Sequence, residues 1–216
     1  MLLKDKIEKL NKSFFKDFPE DDLKVLKDGI DELVRSDISQ RAIDVGEKIP
    51  AFTLPNSNGE ERDIKSLLQK GPLIISFYRG QWCPYCNLEL RAYDEVVENI
   101  ADLGASLVAV SPQTIKYSES TRRMNDLEYE LLSDAGNRIA GSFGLAFRVS
   151  RDMQRVYSDH GMLLPKYNGD ESWQLPVPGT FVIDSDGIVI GRFMDEDYSR
   201  RAEPSEVVDV LRSLRQ

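Results

Sequence analysis

The only two cysteines of this chain stand three residues apart, in Cys83-Pro84-Tyr85-Cys86, and the residues around them dictate where the pair must lie. Leu73-Ile74-Ile75-Ser76-Phe77-Tyr78 is a short apolar run rich in β-branched and aromatic residues, the composition of a buried strand. Arg79-Gly80-Gln81 interrupts it. A helical pattern starts at the cysteines, with apolar residues at Tyr85, Leu88, Ala92, Val96, Ile100 and Leu103. That spacing of three and four holds one face against a core as far as Gly104. Pro84 suits a first helical turn, where its missing N–H costs nothing. The pair is therefore predicted at a strand-to-helix junction, on a helix N-terminus.

Such a position favours a thiolate, because unpaired N–H groups and the positive end of the helix dipole stabilise an anion. A cysteine there can have its pKa lowered from about 8.5 to between about 3.5 and 7.5. Two cysteines one turn apart can also close a small disulfide. Cys83, at the exposed start, reads as the readier nucleophile and Cys86 as the partner that resolves it. A zinc site normally needs four ligands, and His160 is the one other good ligand in the chain, so no metal is expected and no cofactor is implied. A cysteine pair before a strand-helix-strand pattern reads as redox chemistry rather than as a metal half-site or an inert pair.

The totals narrow the partners. A chain of 216 residues fits one large domain, or one domain with an extension. A net charge of −9 argues against a nucleic-acid partner, since phosphate contacts need a basic face. No apolar run approaches a membrane span, so no membrane partner is expected. The start, Met1-Leu2-Leu3-Lys4-Asp5-Lys6, meets charge too early for a signal peptide. A reversible thiol pair suits a reducing compartment, and the expected location is cytoplasmic.

Residues 1–44 read as an N-terminal helical extension. Leu3, Ile7, Leu10, Phe14 and Phe18 form one stripe; Leu23, Leu26, Ile30, Leu33 and Val34 form a second beyond Pro19. These stripes are expected to pack on the unit that follows, with homodimerisation as their other use. Residues 45–216 read as that unit. A short strand at Ala51–Leu54 runs into turn formers, and Asp63 can cap a short helix to Leu68. Ala105–Val110 is a second buried strand, which makes a βαβ unit with the first. A polar helix at about Thr114–Asn125, an edge strand at Glu130–Asp134 and a short helix at Ala135–Phe143 follow. Leu145–Trp173 shows no clean period and reads as an insertion near the active site. Thr180–Ile183 and Ile188–Phe193, joined through Ser185-Asp186-Gly187, make an antiparallel hairpin, and Pro204 opens a last helix. The order predicts an α/β, thioredoxin-like fold, a central mixed sheet flanked by helices.

Phe77-Tyr78-Arg79-Gly80-Gln81-Trp82-Cys83-Pro84-Tyr85-Cys86, the opening Gly46-Glu47-Lys48-Ile49-Pro50-Ala51-Phe52-Thr53-Leu54, the strand Gly179–Asp184 and the tail Asp195-Glu196-Asp197-Tyr198 resemble a peroxiredoxin-like branch of the alkyl hydroperoxide reductase / thiol-specific antioxidant family. Peroxiredoxins carry a Pro-x-x-x-Thr-x-x-Cys segment plus a distant arginine. On that pattern Cys86 takes the peroxide-attacking position, Cys83 replaces the threonine and Arg79 replaces the proline. Pro178 falls where the distant arginine would be, and resembles the cis-proline that lies against the cysteine pair of thioredoxins.

The resemblance implies a thiol-dependent peroxidase. Either Cys86, by family position, or Cys83, by exposure, would attack hydrogen peroxide or an organic hydroperoxide. The other cysteine would close a disulfide, reduced by a thioredoxin- or glutaredoxin-like partner. Arg79 and Arg148 are the candidate positive groups beside the thiolate. The alternative is a thiol–disulfide oxidoreductase in which Cys83 attacks, Cys86 resolves, Pro178 shapes a substrate groove and Trp82 and Tyr85 form an apolar rim. A redox-switched interaction module is the third reading. His160 reads as a plain loop residue, and the Asp195–Asp197 run as a solvated loop.

Overall fold

The computed structural model describes residues 1–214, so the last two positions of the 45–216 unit lie outside the described residues. In chain order the elements are α1 (Leu3–Phe14), α2 (Glu20–Arg35), α3 (Ile38–Arg41), β1 (Thr53–Pro55), β2 (Glu61–Asp63), α4 (Ile64–Leu68), β3 (Leu73–Phe77), α5 (Pro84–Asp94), α6 (Val97–Asp102), β4 (Ser106–Ser111), α7 (Ile115–Asn125), β5 (Glu130–Ser133), α8 (Arg138–Ser142), β6 (Ala146–Arg148), α9 (Arg151–Asp159), α10 (Leu164–Asn168), β7 (Gln174–Pro176), β8 (Gly179–Ile183), β9 (Val189–Met194) and α11 (Pro204–Ser213). A 3₁₀ turn, Ala135–Asn137, precedes α8.

Five strands form the main sheet in the order β5-β4-β3-β8-β9. β3 runs parallel to β4, and β4 parallel to β5, while β8 and β9 add antiparallel on the other side. Every residue of β3 is buried. Its successive side chains point to opposite faces, so Ile74 joins one apolar cluster while Leu73, Ile75 and Phe77 join the other. The first cluster draws on Leu3 and Ile7 of α1, Leu90 and Tyr93 of α5, Ile100 of α6 and Val207 and Leu211 of α11. The second draws on α4 and α8 and on Phe143 and Phe181. A continuous apolar strand needs cover on both faces, and this is the thioredoxin-like arrangement.

Three departures from the sequence expectation bear on the site. The cysteine helix is not continuous to residue 103: Val96 leaves helical dihedrals (φ −123°, ψ 6°), and α6 starts afresh. The bend turns Ile100 onto the core beside Leu107. The stretch 145–173, read as lacking a clean period, folds into β6, α9 and α10. All are short, but Val149, Met153, Val156 and Tyr157 recur at helical spacing and, with Leu164, bury themselves in a third cluster with Leu26 of α2. Val34, read as inward, is 52% exposed. Gly29 lets α2 approach α9, because a Cβ there would meet Met153 Sδ at 2.1 Å.

The hairpin between β8 and β9 forms as expected. Asp184 accepts the N–H groups of Asp186 and Ile188, both at 2.9 Å, and Gly187 takes φ +83°. Among the described residues no helix is long and apolar enough to cross a membrane.

Candidate active site

β3 ends at Phe77, and the chain turns through Arg79, Gly80 and Gln81 before α5 begins. Gly80 has φ +147°, and a Cβ at this position would lie 2.6 Å from Trp82 Nε1. The turn is pinned on both sides: Gln81 N–H donates to Gln113 Oε1 at 2.8 Å, and Asn87 Nδ2 donates to Gln81 O at 2.7 Å. Cys83 is the N-cap of α5 and Pro84 its first residue, so the Cys86 N–H points at Cys83 Sγ, 3.4 Å away.

Both cysteines are free thiols, and both are fully buried. The exposed position anticipated for Cys83 is absent because N-terminal and C-terminal residues close over it. Cys86 Sγ donates to Cys83 Sγ across 2.9 Å. Arg79, only 3% exposed, donates from Nη2 to Cys83 Sγ at 3.3 Å and from Nη1 to the Tyr157 hydroxyl at 3.0 Å. Its guanidinium lies 3.8 Å from the centre of the Tyr198 ring and 5.0 Å from that of Trp82. Behind Cys86 stands a second guanidinium. Arg201 Nη2 is 3.7 Å from Cys86 Sγ, and Arg201 is anchored by Glu89 and by the Tyr198 carbonyl.

The proton affinities of the two sulfurs are driven in opposite directions. Burial by itself would raise the Cys83 thiol, but the hydrogen bond from Cys86 and the charges of Arg79 and Arg201 outweigh it and hold Cys83 well below the ordinary thiol range. Cys86 goes the opposite way, raised by burial and then by donating to the Cys83 sulfur and facing its charge. Both shifts match a hydrogen bond in which Cys86 is the donor and the Cys83 sulfur the acceptor. Glu89, three residues along α5 and fully enclosed, is pushed up to about 7 by burial, which the Arg201 charge offsets only in part.

Some sequence candidates meet here and others do not. Arg79, Trp82, Cys83, Pro84, Tyr85 and Cys86 lie together. Arg148 does not. It is exposed on β6 opposite Gln174, where edge pairing turns it to solvent, and Arg201 supplies the second positive charge instead. Pro178 lines a cavity with Glu89 and Arg201 but is buried, and every peptide bond among the described residues is trans, so the cis-proline expectation is corrected. His160 ends α9, meets Asp22 at 3.0 Å and stacks on Phe18 at 3.8 Å, away from the sulfurs. The Asp195–Asp197 run is half-buried rather than solvated, with Asp195 and Asp197 paired to Arg200. Sequence reasoning missed Tyr157, Tyr198, Glu89 and Arg201. Only Glu89 carried a signal, since i,i+3 spacing from Cys86 puts both on one helix face.

The AhpC/TSA family profile matches residues 45–192. A Mycobacterium tuberculosis protein provisionally named a peroxiredoxin is 27% identical over 170 residues, covering 79% of this chain and 97% of its own. A Coxiella burnetii protein, provisionally named peroxiredoxin bcp, is 28% identical over 148 residues, 68% of this chain and 86% of its own. The crystal structure of peroxidoxin BcpB from Mycobacterium tuberculosis superposes with a TM-score of 0.64 at 23% identity, over 81% of this chain and 99% of that one, a likeness of fold. The thioredoxin-like fold and the family match together define an oxidoreductase. The chain belongs to the AhpC/TSA family, as a peroxiredoxin-like member of the thiol peroxidase class.

Proposed function

We propose that this peroxidase works through the Cys83–Cys86 pair, with Cys83 as the attacking sulfur. The observation that carries the assignment is the Arg79 contact: a buried guanidinium 3.3 Å from Cys83 Sγ, with the Cys86 thiol on the sulfur's other side. The Cys83 thiolate attacks one peroxide oxygen. An S–O bond forms, the O–O bond breaks, and the departing hydroxide takes a proton from solvent to leave as water. Arg79 serves as the fixed positive group for the charge moving onto the leaving oxygen. Cys86 then attacks the sulfenic sulfur. The S–S bond forms, the S–O bond breaks, and the hydroxyl leaves as water with the Cys86 proton. An external dithiol protein of thioredoxin or glutaredoxin type supplies the two electrons that reopen the disulfide, once the buried pair comes within its reach. The cytoplasm is the proposed location.

The oxidoreductase alternative rests on a thioredoxin-like groove at Pro178, and a buried, trans Pro178 gives it no support. The deciding experiment mixes reduced protein with hydrogen peroxide in stopped flow and follows the fluorescence of Trp82, next to Cys83. A rate constant orders of magnitude above that of a free thiol is expected. Cys83→Ser should abolish it. Cys86→Ser should keep a single turnover ending in a dimedone-trapped sulfenic acid. The reverse pattern in the two variants overturns the assignment.

A further inference from the structure

We propose that Phe14, Phe15 and Phe18, from the N-terminal segment, select the peroxide by size, admitting hydrogen peroxide and rejecting bulky organic hydroperoxides. The inference rests on the peroxidase reading above. The three rings enclose the space in front of Arg79, together with Trp82 and Tyr157. That space is about 20 Å³. A single water needs roughly 10–15 Å³ of such volume, so a molecule two oxygens long fits and a tert-butyl or cumyl group does not. Its lining carries two polar atoms suited to a peroxide: Arg79 Nε and Trp82 Nε1 are both buried without a hydrogen-bond partner, while the two Arg79 Nη atoms are engaged.

The wall is braced rather than loose. Phe14, Phe15 and Phe18 pack on one another with ring centres 5.0, 5.2 and 5.7 Å apart. Phe18 is further clamped by the stacked ring of His160, which Asp22 holds. Asn11 Oδ1 accepts from the Tyr85 hydroxyl at 2.5 Å, tying α1 to the first turn of α5. These residues precede the stretch 45–192 matched by the family profile, so the filter is an addition of this chain to the shared domain. Displacing such a wall for a larger substrate forfeits packing, and one misfitting group in a tight pocket is worth about 10- to 200-fold in rate.

The test compares second-order rate constants for hydrogen peroxide, tert-butyl hydroperoxide and cumene hydroperoxide by stopped flow. For the wild type the constants should fall in that order, by about 100-fold from first to last. Phe18→Ala and the milder Phe14→Leu should each raise the ratio of cumene to hydrogen peroxide rates, the former by about tenfold. Equal wild-type constants for all three peroxides overturn the filter and leave the peroxidase standing, and so does a selective wild type whose ratio neither variant moves. Failure with hydrogen peroxide itself sinks the peroxidase reading, and the filter with it. The wild-type series needs no variant to fold.

Discussion

Tyr157 accepts a hydrogen bond from Arg79 at 3.0 Å across 78 residues of sequence, and so ties α9 to the charge that faces Cys83. Tyr157→Phe removes the acceptor and leaves a buried guanidinium donor unpaired. A hydrogen bond to a charged group is worth about 1.5–3 kcal/mol, and urea unfolding should register a loss of that order. An unchanged unfolding midpoint would mean that Arg79 is held without Tyr157.

Arg79 presents two donors from one plane, one to sulfur and one to Tyr157. Lysine keeps the charge but cannot serve both partners in that geometry. Arg79→Lys should slow the first turnover with peroxide by about 100-fold. It should also move the pH midpoint of Cys83 alkylation by iodoacetamide upward, measured in the Cys86→Ser background. A midpoint that stays put would remove Arg79 from control of the thiolate.

Stability should carry the same signature. Cys83 has its pKa lowered on folding, so its contribution is fully present above the unfolded value of about 8.5 and is lost as pH falls through the folded value. The unfolding free energy of reduced wild type, less that of Cys83→Ser, should therefore grow as pH rises toward about 8.5. A flat difference would show that no stabilised thiolate forms.

Glu89 and Arg201 act on Cys86 as a pair. When Glu89 ionises, near 7, it cancels the Arg201 charge and leaves Cys86 less attraction toward its thiolate form. Glu89→Gln makes the uncancelled state permanent. In a Cys83→Ser background it should shift Cys86 alkylation to lower pH, and a shift to higher pH would contradict the arrangement.

Gly80 sits at φ +147°, and Trp82 Nε1 lies 2.6 Å from where its Cβ would be. Gly80→Ala should cost about 1–3 kcal/mol in strain, read as a lowered melting temperature. Wild-type stability in this variant would show that the turn can relax.

The apolar run Leu73–Tyr78, the helical stripe after it and the Asp-Gly hairpin each carry a local pattern; strand and hairpin form near their predicted positions, and the helix starts where predicted but breaks at Val96. Pro84 and the N-cap place the sulfurs at a helix start by backbone sterics alone. The stretch 145–173 reads as irregular because its elements are three to nine residues long, so the helical spacing of Val149, Met153, Val156 and Tyr157 spans barely two turns, and α2 supplies the cover for that face.

What the amino-acid order by itself determined is the cysteine pair and its seat on a βα junction, because those depend on neighbours within one strand and one helix. Only tertiary packing decided which sulfur carries the charge. Arg79 turns inward to Tyr157 beneath the N-terminal phenylalanines, and Arg201 arrives from 115 residues away. Coulombic control of a thiol works over a few ångströms in a dry interior, and that distance is set by the fold.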